Sequence, residues 1–253
     1  MSVLSVTDLH KSFKGGITAL KGLSLSVAPG RIYALVGPDG AGKTTSLRLI
    51  AGLMKPDRGA IQVLGMAPTD PRVRSGLGYM PQRHALYGDL SIDENLAFFG
   101  EMHGLDRATY TERRKRLLDL TRLAPFGARR ADALSGGMYK KLALACSLLS
   151  RPSVLLLDEP TNGVDPVSRR ELWMLLFELT GEGLAVLVST AYLDEASRGH
   201  TVGVLDRGRL LFEGPPHDLA KAAHAAGLTT KGRDPEQIIV SALHSQAEKE
   251  RAA

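Results

Sequence analysis

A chain of 253 residues, 43% hydrophobic and 23% charged, can bury a substantial core and has the composition of a soluble globular protein. Its apolar residues never run to the ~18 in a row that a membrane span requires, and MSVLSVTDLHKSF at the N-terminus lacks the apolar stretch of a signal peptide. A single cysteine excludes an internal disulfide and fits a reducing compartment; a net charge of +5 with 5% aromatics shows no basic-aromatic interleaving of the kind that stacks on nucleic-acid bases.

In chain order, VLSVTDLHKSF and LKGLSLSVAPG alternate with period two and read as strands, the second closed by Pro29-Gly30. RIYALVG is a third strand, apolar enough to be buried. GPDGAGKT follows it, and then SLRLIAGLM, an amphipathic helix stopped near Lys55-Pro56. GAIQVLG reads as an edge strand. From about 84 to 150 the pattern turns helical, with Leu96, Phe98, Phe99, Met102, Leu117, Leu118, Leu120 and Leu123 at helical spacing. Arg113-Arg114-Lys115-Arg116 within it would suit an anionic partner, but reads better as a solvated helix face. Cys146 lies in the apolar run LALACSLLS and reads as a buried structural thiol.

Beyond the helical stretch, PSVLLLDEP is a buried strand, LWMLLFELTGEG a helix with a glycine end, LAVLVST a second buried strand, and TVGVLDRGRLLFEG a hairpin around Asp206-Arg207-Gly208. Past Leu219 the chain becomes rich in Ala, Lys, His and Glu. DPEQIIVSALHSQAEKERAA carries its own helix start, with Asp234 as N-cap, Pro235 in the first turn and Gln237 three after the cap. Ile238, Ile239, Ala242 and Leu243 give that helix one narrow apolar face, so it reads as a short docking helix with a frayed end. Strands alternating with helices predict an α/β fold with a largely parallel central sheet.

The first chemical motif is Gly37-Pro38-Asp39-Gly40-Ala41-Gly42-Lys43-Thr44, which satisfies G-x-x-x-x-G-K-[ST] between a strand and a helix. Glycines let the backbone N–H groups turn in around phosphate oxygens, and the helix N-terminus adds partial positive charge. Lys43 suits the β and γ phosphates, and the Thr44 hydroxyl suits Mg²⁺. PSVLLLDEP is the second motif: an apolar strand brings Asp158 and Glu159 to its C-terminal end, where ligands of such sheets bind. Asp158 suits direct or water-mediated support of the metal, and Glu159 orientation or deprotonation of an attacking water.

Leu134-Ser135-Gly136-Gly137-Met138 is the third. With the other two, in this order, the chain resembles the nucleotide-binding subunits of ABC transporters over roughly residues 3 to 220. The resemblance implies a P-loop NTPase of the ABC ATPase fold. Its parts would be a RecA-like mixed or parallel sheet core, an antiparallel β subdomain and a helical insert, spanning 1–222, and then a tail, 223–253, with a helix at about 235–249. By the same resemblance Phe13 in HKSF matches the aromatic that stacks on adenine, and Gln82 in YMPQ matches a glutamine that ligates Mg²⁺ and heads the segment touching the membrane subunit. Thr45 joins the nucleotide-binding set beside Thr44. Ser135, Gly136 and Gly137 match the signature that reaches the nucleotide of the other subunit, with Met138 where the family has glutamine. Asp165 in TNGVDP matches the loop that couples two sites.

The resemblance further implies ATP and Mg²⁺ as cofactors, a head-to-tail dimer with a second nucleotide-binding subunit, identical or related, and a transmembrane permease as partner. It implies no nucleic acid, and a place in the cytoplasm on the inner face of the cell membrane. Tyr87, Leu90, Phe98 and Phe99 are candidates for the permease contact; internal packing of the insert is the alternative for the two phenylalanines. LYGDLSIDENL, LSGGM and DPVSRRELW look like multidrug-type, ABC-2-like exporters, and in particular like the first of two ATPase halves in tandem versions; no second half is seen in this sequence. A non-transport ABC ATPase, or a regulatory subunit that binds ATP without hydrolysis, are the alternatives.

One element departs from the pattern. Where the family has a histidine after the strand that follows the catalytic carboxylate, this chain has Ala191. A methyl group neither donates nor accepts a hydrogen bond. His200, the nearest following histidine, is an unpromising substitute. Two readings stay open: a slow or regulatory site paired with a competent one in another subunit, or a slow homodimer in which Glu159 and the phosphate loop suffice.

Overall fold

The computed structural model describes every residue except Met1, His84, Arg233 and Ala253. In chain order it contains β1 (Leu4–Ser12), β2 (Thr18–Val27), β3 (Ile32–Val36), α1 (Lys43–Ile50), β4 (Arg58–Val63), β5 (Leu77–Met80), α2 (Ile92–Met102), α3 (Arg107–Thr121), α4 (Gly136–Leu148), β6 (Val154–Asp158), α5 (Pro166–Gly181), β7 (Ala185–Thr190), β8 (Thr201–Asp206), β9 (Arg209–Gly214), α6 (Leu219–Ala225) and α7 (Pro235–Ala252). A six-stranded sheet in the order β5-β6-β7-β3-β8-β9 is parallel except for β9, and a three-stranded antiparallel sheet runs β2-β1-β4. The fold is α/β, with a mixed sheet core, an antiparallel β layer and helices.

The central strands explain the layering. Every residue of β3, β6 and β7 is buried, as expected of parallel strands covered on both faces. Their side chains alternate between two cores. Ile32, Ala34, Val36, Leu155, Leu157, Val186 and Val188 face the helices α4 and α5. Tyr33, Leu35, Leu156 and Leu187 face α1 and the antiparallel sheet. The parallel register leaves the C-terminal ends of β3, β6 and β7 level, with Val36 opposite Thr190 and Asp158 opposite Ser189.

The stretch between β5 and β6 holds the expected helices. Ser91 and Glu94 form a capping box at the start of α2, and Asp106 caps α3. The basic run on α3 is largely spent inside the chain. Arg113 donates to Leu149 O at 2.7 Å, Arg114 to Asp93 at 2.6 Å, and Arg116 pairs with Glu182.

Four elements differ from the expectations drawn from the sequence. The first helix stops at Ile50, because Gly52 turns into the left-handed region at φ 72° and Leu53 N–H closes back on Arg48 O. The strand β5 and the helix α6 are additional. The last helix is longer than expected and runs to Ala252: Ile238, Ile239 and Ala242 are buried, and Lys249 donates to Gly227 O. Its apolar face packs against the 3-10 segment Leu193–Arg198 and α6. The cap at its start is as expected, with Gln237 N donating to Asp234 Oδ1 at 2.9 Å.

Candidate active site

The loop between β3 and α1 is built on glycines with definite tasks. A Cβ on Gly37 would overlap the carbonyl of Leu205, and Gly42, at φ 110°, closes the loop as the N-cap of α1. Lys43, only 4% exposed, folds back onto its own loop, donating to Gly37 O at 2.7 Å and Pro38 O at 3.1 Å. Its Nζ lies 3.4 Å from Glu159 Oε1.

β6 delivers Asp158 to the same place. Its Oδ1 accepts from Thr44 Oγ1 at 3.0 Å and from Ser189 Oγ at 2.8 Å. Burial raises its carboxyl above the usual carboxylate range, with the charge of Glu159 acting in the same direction, while the two hydroxyl donors oppose it. Its other oxygen, Oδ2, is buried with no hydrogen-bond partner. An orphaned carboxylate oxygen, with the Thr44 hydroxyl bonded to the other oxygen of the same carboxylate, offers the hard oxygen ligands Mg²⁺ prefers. Among the described residues no three His, Cys, Asp or Glu side chains cluster as a metal cage.

Glu159 follows at φ 48°, an unusual conformation for a residue with a side chain. Its N–H donates to Ser189 O and Oγ, both at 3.1 Å. Its Oε2 accepts from Gln82 Nε2 at 2.6 Å and Asn162 Nδ2 at 3.2 Å. Lys140, almost fully buried on α4, donates to the carbonyls of Gln82 at 3.2 Å and Glu159 at 3.5 Å. Burial lowers the pKa of its ammonium, against the pull of Glu159 and Asp158. Ser189 and Lys140 lie in no motif that singles them out, and Asn162 lies in TNGVDP, where only Asp165 carries an expected role.

A cleft of about 450 Å³ opens above these groups, lined by Phe13, Ile17, the loop from Asp39 to Thr45, Gln82 and Glu159. Phe13 stands 41% exposed at its edge, available for stacking. Ser135, Gly136, Gly137 and Asp165 do not line it. Ser135 Oγ caps α4, accepting from Met138 N at 3.3 Å. A Cβ on Gly137 would collide with the Ser168 side chain, and one on Gly136 would press on Gly163 O at 3.1 Å. Asp165 caps α5, accepting from Ser168 N at 2.9 Å and Val167 N at 3.1 Å, and those donors hold its carboxyl below the usual range.

Ala191 is exposed, one residue past the end of β7. Tyr192 N turns back to Thr190 Oγ1 at 3.0 Å. His200 cannot stand in: its Nδ1 accepts from Ile32 N at 3.0 Å, at the opposite end of β3 from the phosphate loop.

Family comparison agrees with this geometry. The profile of the ABC transporter family matches residues 20–162. The chain belongs to the ABC transporter family. It is 46% identical over 223 residues to the probable multidrug ABC transporter ATP-binding protein YbhF of Escherichia coli, covering 87% of this chain and 39% of that relative. So it spans well under half the length of that protein. It is 41% identical over 222 residues to the Nod factor export ATP-binding protein I of Ralstonia nicotianae, covering 86% of this chain and 68% of the relative. It is 40% identical over 221 residues to the daunorubicin resistance ATP-binding protein DrrA3 of Streptomyces coeruleorubidus, covering 86% and 70%. Among solved structures, an ATP-binding subunit of an ABC transporter superposes with TM-score 0.79 at 31% identity, covering 90% of this chain and 96% of that one. An ABC ATP-binding cassette in its ADP conformation superposes with TM-score 0.77 at 25% identity, covering 85% and 91%. The family's ATP-binding domains are ATPases, and the fold and loop of this ABC domain are theirs.

Proposed function

We propose that this chain is the ATP-binding subunit of an exporter, binding Mg-ATP in the Phe13–Glu159 cleft and using its hydrolysis to drive a membrane-spanning permease. The carrying observation is the convergence of Lys43, Thr44, Asp158, Gln82 and Glu159 at the level ends of β3 and β6. In this reading Phe13 stacks on adenine and Gly37 to Thr45 wrap the phosphates. Glu159 orients the attacking water and accepts its proton, held in place by Gln82 and Asn162. Thr44, Asp158 and Gln82 would hold Mg²⁺, which when bound neutralises phosphate charge.

Ser135, Gly136, Gly137 and Asp165 lie outside the chain's own cleft, which supports a dimer in which they serve the nucleotide of a second ATP-binding subunit. Among the described residues no helix is long and apolar enough to cross a membrane; in this reading a membrane-spanning permease carries the substrate. Tyr87 and Phe98, 48% and 38% exposed with ring centroids 4.7 Å apart, form an aromatic patch suited to that contact on the inner membrane face. Phe99 sits behind them, partly buried against the core. We take residues 1–222 as the ATPase unit, with its helical subdomain at about 84–150, and 223–253 as an extension docked on it. ATP hydrolysis by the chain, measured with and without membranes carrying its permease, tests the reading; no ATP binding in either condition would sink it.

A further inference from the structure

Lys140 is a buried ammonium outside every motif described above. It lies on α4 four residues after Gly136, so the two share a helix face. That face looks onto the loop after β6, where a Cβ on Gly136 would meet Gly163 O at 3.1 Å. Lys140 is 9% exposed, and a buried ammonium is tolerated only when its charge is well hydrogen-bonded. Its compact head carries three donors and can serve two carbonyls together. Those two are Gln82 O at 3.2 Å and Glu159 O at 3.5 Å.

The choice of carbonyls matters. Glu159 holds φ 48°, which persists only where its surroundings impose it. Ser189 fixes its amide; Asn162 N, at 3.2 Å, and Lys140 fix its carbonyl. Gln82, whose amide grips the Glu159 carboxylate at 2.6 Å, is anchored by the same ammonium. Lys140 therefore sets both ends of the Gln82–Glu159 hydrogen bond against each other, from the helix that Ser135 starts.

We propose that Lys140 is a positioning residue for ATP hydrolysis, holding the Gln82 and Glu159 loops in register with each other and with the Ser135 end of α4. This rests on the ATPase reading above. The test is steady-state and single-turnover ATP hydrolysis by the full chain as wild type, Lys140→Met, Lys140→Gln, Lys141→Met and Glu159→Gln. Lys141, the neighbouring lysine, pairs instead with Glu171 on α5 and serves as control. Displacements of about 1 Å in such groups can slow chemistry about a hundredfold. We expect Lys140→Met to lower kcat about ten- to a hundredfold with the KM for ATP within about twofold of wild type. Lys140→Gln, which keeps one donor, should recover part of the rate, and Lys141→Met should match wild type.

Wild-type kcat in Lys140→Met, or a loss of ATP affinity equal to the loss of rate, overturns the proposal. If Lys140→Met unfolds at assay temperature, Lys140→Gln decides: a folded variant with full kcat refutes the role. A wild type without turnover defeats the reading of the isolated chain as an ATPase, and not the Lys140 role. The series is then read in the Ala191→His background by the same criteria.

Discussion

Ala191→His should restore a γ-phosphate contact and speed hydrolysis. β7 ends with Thr190 opposite Val36, and the next residue after Val36 is Gly37, which opens the phosphate loop. A side chain at 191 therefore sits at the phosphate end of the sheet, two residues past Ser189, which holds Asp158 at 2.8 Å. Position 191 is exposed, so the larger side chain displaces no core; the change in folding stability should stay within about 0.5 kcal/mol. A hydrogen bond to a charged partner contributes about 1.5–3 kcal/mol. If it strengthens in the transition state, each ~1.4 kcal/mol is tenfold in rate, so kcat should rise on the order of ten- to a hundredfold. The assay is phosphate release at saturating Mg-ATP, with Ala191→Phe as a variant of similar bulk but no ring N–H. A kcat for Ala191→His within twofold of wild type, with Glu159→Gln still abolishing turnover, would refute the reasoning. Glu159 and the loop would then suffice alone.

Glu159→Gln should lower turnover at least about a hundredfold while Mg-ATP still binds, which equilibrium dialysis alongside the rate assay would show. Burial pushes the Cys146 thiol well above its ordinary range, so the native chain should resist thiol reagents near pH 8 and react promptly once unfolded in guanidinium; fast native labelling would contradict the buried placement. Ile239→Ala should cost about 2–4 kcal/mol, because Ile239 is fully buried on the packed face of α7, and thermal unfolding should begin about 5–15 °C lower. An unchanged melting temperature would mean that α7 is not docked in solution.

The elements legible in the sequence are those whose signal is local. β3, β6 and β7 are buried on both faces, and that forces continuous apolar runs such as VLLLD. The phosphate loop needs its glycines, lysine and threonine contiguous in sequence. β5 escaped because four residues, LGYM, alternate between half-buried and buried and carry a glycine; that glycine is required, since a Cβ on Gly78 would run into Ser147 O and Leu155. The supports of the site escaped for a different reason. Ser189 acts on Glu159 through pairing between strands, and Lys140 acts on main-chain carbonyls, which have no side-chain identity to recognise. In YKKLALA nothing distinguishes Lys140, buried under the site, from Lys141, paired with Glu171.

The supports also bear on what Ala191 does to the site. Asp158 is held by Thr44 and Ser189, and Glu159 by Ser189, Gln82, Asn162 and Lys140; none of these bonds passes through the side chain of residue 191. The segment beyond it is secured separately, by buried Glu195 accepting from Thr161 at 3.0 Å and Thr190 at 2.9 Å. A methyl at 191 thus removes one donor without displacing either carboxylate. The supports of Asp158 and Glu159 therefore stand independently of the side chain at 191, so an effect of Ala191→His on kcat would come from the added ring N–H and not from repositioned carboxylates.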